Sequence, residues 1–145
     1  MIKRVCTAAL LLVFGAVGFA ADTTSTPSTP EAMNAGGEEV YSHICQACHM
    51  PDAQGAVGAG HYPKLAGDPA LASWQFMAIT VLGGRNGMPA FGEPAHTDPG
   101  NFGAVHLSDE KIAEVINYVR SHFGNKYKDK VTAGQIAKLP HPGSG

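Results

Sequence analysis

The pentapeptide Cys45-Gln46-Ala47-Cys48-His49 constrains this chain more than any other stretch. Two thiols three positions apart, with an imidazole directly after them, are the pattern of covalent haem c attachment. Thiols at i and i+3 on one short helical turn can reach the two vinyl groups of a single porphyrin. The next residue, His49, then stands beneath the iron as its proximal axial ligand. A haem held in this way becomes an additional core element of whatever fold surrounds it.

Two other chemistries use closely spaced cysteines. Zinc needs two further good ligands, yet the remaining cysteine, Cys6, lies at the very start of the chain and no second Cys pair or His-x3-5-His follows. A thioredoxin-like dithiol calls for a preceding strand and a βαβ pattern, whereas Glu38 to Ala47 reads as helix.

Residues 1–20 have the parts of a secretory signal: basic Lys3 and Arg4, a mostly apolar run from Val5 to Gly18, and small residues before an expected cut at Ala20/Ala21. The apolar run is about 15 residues against the roughly 20 that span a bilayer, so membrane attachment is expected only if the signal stays uncleaved. Cys6 goes with the signal. Export to the bacterial periplasm follows, with Cys45 and Cys48 kept reduced there until haem is loaded. Of the 10 basic and 12 acidic residues, the signal removes Lys3 and Arg4 and no acid, leaving 8 against 12 and a formal charge of −4. That balance argues against a nucleic-acid partner.

The remainder divides into a Thr/Ser/Pro-rich flexible leader over 21–35, a domain over 36–124, and a C-terminal extension over 125–145. About 90 residues suffice for one small core and not for two. The last helix is the clearest. Ser108 is a good N-cap, Asp109 and Glu110 put negative charge in the first turn, and Ile112, Val115, Ile116, Val119 and Phe123 recur at helical spacing up to Gly124. A second helix is read from Pro69 or Ala70 to Leu82, and a first from about Gly37 to Cys48. Between them, residues 53–60 and 83–103 are rich in Gly and Pro and show no strand alternation. The expected fold is all-α, helices and loops wrapped around one covalent haem.

A haem held by one histidine has a second open face, and Met88 in Gly84-Arg85-Asn86-Gly87-Met88-Pro89-Ala90-Phe91-Gly92 is the candidate to close it. Pro89 fixes its own φ and biases Met88 to extended backbone, while the glycines permit close approach to the porphyrin. A thioether ligand raises the potential relative to a second imidazole. Met1 and Met33 lie in signal and leader, Met50 directly follows the proximal histidine, and Met77 reads as core packing. Of the other histidines, His43, His122 and His141 read as solvated side chains, with His61, His96 and His106 the residual alternatives as ligands.

These residues resemble the small, single-haem class I cytochromes c of bacteria, over about Gly36 to Gly124. Gly37, Tyr41 and Cys45 in the first helix, with Val115 and Tyr118 in the last, resemble the family's crossing of terminal helices, where a glycine permits close approach and an aromatic fills the contact. Tyr62-Pro63-Lys64-Leu65 resembles the family's Pro-x-Leu segment. The resemblance assigns to the Pro63 carbonyl the hydrogen bond that orients the proximal imidazole and tunes its basicity. Trp74 is similar in placement to aromatics along the haem edge. The long loop over 93–107 and the extension beyond Gly124 depart from the minimal family pattern.

The implied function is periplasmic electron transfer by one haem c with His49 and Met88 as axial ligands, and not catalysis. Partners would dock transiently, a periplasmic dehydrogenase and a terminal oxidase among them. The alternative is a dedicated cytochrome subunit or electron acceptor of a periplasmic dehydrogenase. A peroxidase would need a labile distal position and an acid/base pair, and Met88 argues against it.

Overall fold

Helix α1 occupies residues 36–49 and changes pitch along its length. Residues 36–40 are α-helical, Tyr41–Cys45 form a wide π turn, and Gln46–His49 return to α geometry. Wide turns of this kind recur at functional sites, and this one delivers the first of the two thiols. The structure is a computed structural model that describes residues 36–58, 60–94 and 105–143. The expected signal and leader, His96 and most of the 93–107 loop lie outside the described residues.

Strands β1 (Ala56–Val57) and β2 (His61–Tyr62) pair antiparallel, with Ala56 opposite Tyr62 and Val57 opposite His61. This small hairpin corrects the expectation of loops alone in that region, since strands of two residues are too short to display alternation. The second helix is also divided. Pro69–Ala72 is a 3-10 turn started by Asp68, whose carboxylate accepts from the Ala70 N–H at 2.9 Å. Helix α2 (Trp74–Gly83) starts afresh after Ser73, whose hydroxyl accepts from the Phe76 N–H at 3.2 Å. Two capping residues this close together hold the backbone between them out of a single helix.

Helix α3 (Asp109–Ser121) is the centre of the molecule, with α1, α2 and the short α4 (Ala133–Ile136) packed on it. The Ser108 hydroxyl caps it by accepting from the Lys111 N–H. Ile112, Ala113, Val115, Ile116 and Val119 form its buried stripe, and a fully buried isoleucine contributes about 1.5–3 kcal/mol. Where α1 crosses α3, a Cβ on Gly37 would run into the Glu114 carbonyl and stand 2.8 Å from Tyr118 Cβ. The Tyr41 ring lies 5.8 Å from Tyr118 and 4.7 Å from Phe123, so aromatic surface fills the rest of the crossing.

Phe123 at φ 55° and Gly124 at φ 82° turn the chain back after α3. The extension then runs along α3 as part of the core. The Asn117 amide donates to the Val131 carbonyl at 2.8 Å and accepts from its N–H at 2.8 Å, imitating a pair of strand residues. Arg120, only 1% exposed, donates to the carbonyls of Leu71, Ala72 and Asp129 and to the Asp129 carboxylate. Val131 and Ile136 are completely buried beyond it. Among the described residues no helix is long and apolar enough to cross a membrane.

Candidate cofactor site

Cys45 and Cys48 are half-buried free thiols one turn apart at the end of α1. Burial pushes the Cys45 thiol up to about 11, partly opposed by a backbone hydrogen bond and reinforced by Cys48. At neutral pH it is therefore a protonated thiol held in apolar surroundings.

His49 is buried at the last position of α1, and its Nδ1 lies 3.0 Å from the carbonyl oxygen of Pro63. A carbonyl only accepts, so Nδ1 carries a proton, and the tautomer this fixes has its lone pair at Nε2. Among the described residues no hydrogen-bond partner meets Nε2. A buried imidazole with one nitrogen fixed and the other left to coordinate is the state a metal ligand requires.

The chain brings Pro63 to His49 by reversing twice. Met50, at φ 66°, ends α1, and the Tyr41 hydroxyl donates to its carbonyl at 2.7 Å. The Gly55 N–H then donates to the His49 carbonyl at 3.1 Å, and the Ala53 carbonyl accepts from both Leu65 and Ala66. Gly55 at φ 68° lies directly on the 62–63 backbone: a Cβ there would stand 2.8 Å from the Pro63 oxygen. Asn125, in the extension, pins the same segment by donating to the Leu65 carbonyl at 3.1 Å and to the Val119 carbonyl at 2.8 Å. Neither Gly55 nor Asn125 was singled out in the sequence. A glycine in a Gly-rich loop signals a left-handed position only in general terms, and the reach of Asn125 has no local pattern.

Met88 occupies a different loop, tied to the end of α2. Arg85 and Met88 exchange backbone hydrogen bonds at 3.0 and 2.9 Å across the turn Arg85-Asn86-Gly87-Met88. Gly84, at φ 71°, allows that turn to fold onto the helix, since a Cβ would stand 2.6 Å from the Met88 carbonyl. Phe91 and Gly92 then bond back to the Val81 and Leu82 carbonyls, at 2.9 and 3.1 Å. The Met88 side chain is half-buried in this frame.

The other candidates have separate places. Met77 is buried in the core, and Trp74 packs against that core while half-buried. His61 is exposed on β2. His43 bonds the Glu39 carbonyl, His106 the Gly92 carbonyl, and His122 stacks on Tyr118 with ring centres 4.1 Å apart. His141 meets Asp109.

Helix α2 is apolar on both sides. Met77, Ala78 and Leu82 face the protein core, yet Phe76 and Ile79 are 41% and 51% exposed. A helix apolar all round is covered all round, so this surface fits a flat apolar group. Two free thiols on one turn and an oriented imidazole form a donor set suited to haem c.

A family model described as "Cytochrome c" matches residues 35–123. The chain belongs to the cytochrome c family. Its cofactor is covalent haem c, its role is electron transfer, and Cys45 and Cys48 lie in the Cys-x-x-Cys-His attachment position. Curated relatives include the cytochrome c subunit of a quinone alcohol dehydrogenase from Gluconobacter oxydans, 30% identical over 83% of this cytochrome and 29% of the relative. The fructose dehydrogenase cytochrome subunit of Gluconobacter japonicus is 31% identical over 74% and 25%. The gluconate 2-dehydrogenase cytochrome c subunit of Pantoea cypripedii is 36% identical over 71% and 23%. This cytochrome therefore spans less than a third of the length of these relatives.

Proposed function

We propose that this chain is an exported cytochrome that holds one haem c through Cys45 and Cys48, with His49 and Met88 as axial ligands, and accepts electrons from a dehydrogenase. When bound, the cofactor supplies a one-electron ferrous/ferric couple. The protein's part is to fix the ligands and keep water out. Pro63 orients His49 and increases its basicity, while the Arg85–Met88 turn presents a thioether whose preference for ferrous iron raises the potential. With both axial positions filled by protein, no substrate needs to reach the metal. The single observation that carries this reading is His49, set one residue after the thiols, with Nδ1 bonded to the Pro63 carbonyl and Nε2 left to coordinate.

Export is supported by the basic-then-apolar pattern of residues 1–20, which also supports cleavage near Ala20. The domain limits at 36 and 124, the leader and the extension belong to the same proposal. The dehydrogenase partner is supported by the relatives, each a cytochrome subunit of a dehydrogenase. A carrier that meets such an enzyme transiently and passes electrons onward to an oxidase is the proposed mode, with a dedicated subunit of the dehydrogenase as the alternative.

The attachment is tested on exported protein by acid–acetone extraction and the pyridine haemochrome spectrum. Wild type should retain one haem per chain with both vinyl groups saturated. Cys45→Ala and Cys48→Ala should each leave one vinyl intact, and the double variant should lose all covalent haem. Extractable haem in the wild type contradicts the proposal. Size-exclusion of untagged material tests the partner mode: a lone monomer supports the carrier, and stable stoichiometric co-elution with a dehydrogenase supports the subunit.

A further inference from the structure

The C-terminal extension ends beside the segment that carries Met88. A Cβ on Gly92 would stand 3.0 Å from Pro142 Cδ and 2.8 Å from Leu82 Cδ2, so Gly92 is packed between α2 and the end of the chain. Gly92 lies four residues beyond Met88 and is buried. Its N–H donates to the Leu82 carbonyl at 3.1 Å, and its own carbonyl accepts from His106 Nδ1 at 3.1 Å.

The residue before Pro142 makes the attachment that seats it. His141 Nε2 is 2.8 Å from Asp109 Oδ1 at the start of α3, and Nδ1 is 2.9 Å from the Leu139 carbonyl. Both partners accept, so both ring nitrogens donate and the ring is the imidazolium. Upstream, Val131 and Ile136 are wholly buried and anchor the extension without help from His141. Losing the His141 contact therefore loosens residues around 140–143 while the rest of the extension stays in place.

We propose that the His141–Asp109 ion pair is a clasp that seats Pro142 on Gly92 and so holds the Met88–Gly92 segment against α2, making both partners positioning residues for the distal ligand. The inference rests on the reading of Met88 as axial ligand. Its consequence is specific: opening the clasp makes Met88 easier to displace from iron without weakening the anchor of the extension or the attachment at Cys45 and Cys48.

The test uses ferric holoprotein titrated with imidazole, a small ligand that competes for the distal position. Displacement is followed by loss of the weak long-wavelength band of the iron–methionine bond. His141→Ala and Asp109→Asn should each bind imidazole about two- to five-fold more tightly, the range a partly exposed ion pair supplies. The double variant should bind no more tightly than either single one, because both remove the same clasp. His141→Gln, which keeps a neutral donor, should fall between His141→Ala and wild type. Ile136→Val serves as the structural control: it lowers the unfolding midpoint and leaves the imidazole affinity unchanged. Wild-type affinity in both clasp variants with the band intact overturns the clasp alone, as does an equal shift in Ile136→Val. A wild-type spectrum lacking the band overturns Met88 ligation and the clasp together.

Discussion

Replacing Arg120 with methionine should be among the most damaging single changes in the protein. Its guanidinium is buried at the junction of three elements, donating at 3.0 Å to Leu71, at 3.3 Å to Ala72 and at 3.0 Å to Asp129, all backbone carbonyls. It also donates to both Asp129 carboxylate oxygens at 2.9 Å and lies 5.1 Å from the Tyr127 ring centre. Methionine matches much of the volume but returns none of these bonds, so the buried Leu71 carbonyl and the part-buried carbonyls of Ala72 and Asp129 lose their donor. A buried carbonyl left without its donor costs about 1–3 kcal/mol and each lost bond to a charged donor about 1.5–3, so about 3–5 kcal/mol is expected for the three together. In a domain of this size each kcal/mol moves the melting temperature by about 4–8 °C, so a fall of more than about 10 °C is expected. Asp129 is the informative comparison. Its side chain is 62% exposed, and Asp129→Asn keeps one oxygen acceptor, so its cost should stay within about 1 kcal/mol. Urea unfolding of the holoprotein, followed by circular dichroism at the haem band, measures both. A loss below about 1 kcal/mol in Arg120→Met, or equal losses in the two variants, refutes the argument that carbonyl satisfaction and not the ion pair fastens the extension.

Four further outcomes follow from the same geometry. Gly37→Ala should destabilise by about 1–3 kcal/mol, because the methyl meets the Glu114 backbone. Gly134→Ala, with nothing within 4 Å, should stabilise by about 0.4–1 kcal/mol; equal signs in denaturant titrations would contradict the close crossing. Gly55→Ala forces a side chain at φ 68° against the Pro63 carbonyl, so spectroelectrochemistry should show a higher potential as His49 becomes less basic, and an unchanged potential would detach Gly55 from ligand control. His141 is raised above its ordinary value by its hydrogen bond to Asp109, against burial and with help from the Leu139 carbonyl and Glu93. Its contribution is therefore complete below the unfolded value of about 6.5 and lost as pH rises through the higher folded one. The stability difference between wild type and His141→Ala should shrink as pH rises above the unfolded value of about 6.5, and a pH-independent difference would rule out the charged clasp.

What the sequence disclosed and concealed follows from the range of the interactions. Helix α3 was legible because Ser108, the acidic first turn and the apolar stripe are all local signals. The break at Ser73 was missed because an apolar period runs through it, while a single hydroxyl bonded to Phe76 decides the backbone. The extension carries no local signal of where it packs. Its place is set by Asn117 reaching Val131 and Arg120 reaching Leu71, side-chain to backbone bonds across 14 and 49 positions that leave no periodic trace. At the site, Cys45, Cys48 and His49 announce themselves by adjacency. The Pro63 contact came from family resemblance, and the two reversals at Met50 and Gly55 that create it became visible only in three dimensions.

The central claim is a closed electron-transfer centre with His49 and Met88 on iron. The visible spectrum of the exported protein, oxidised and reduced, in wild type and Met88→Ala, tests it most directly. A low-spin haem c spectrum with the weak long-wavelength ferric band, lost in Met88→Ala together with a fall in potential, is the predicted result. A high-spin wild-type spectrum that changes on adding carbon monoxide or peroxide would contradict it.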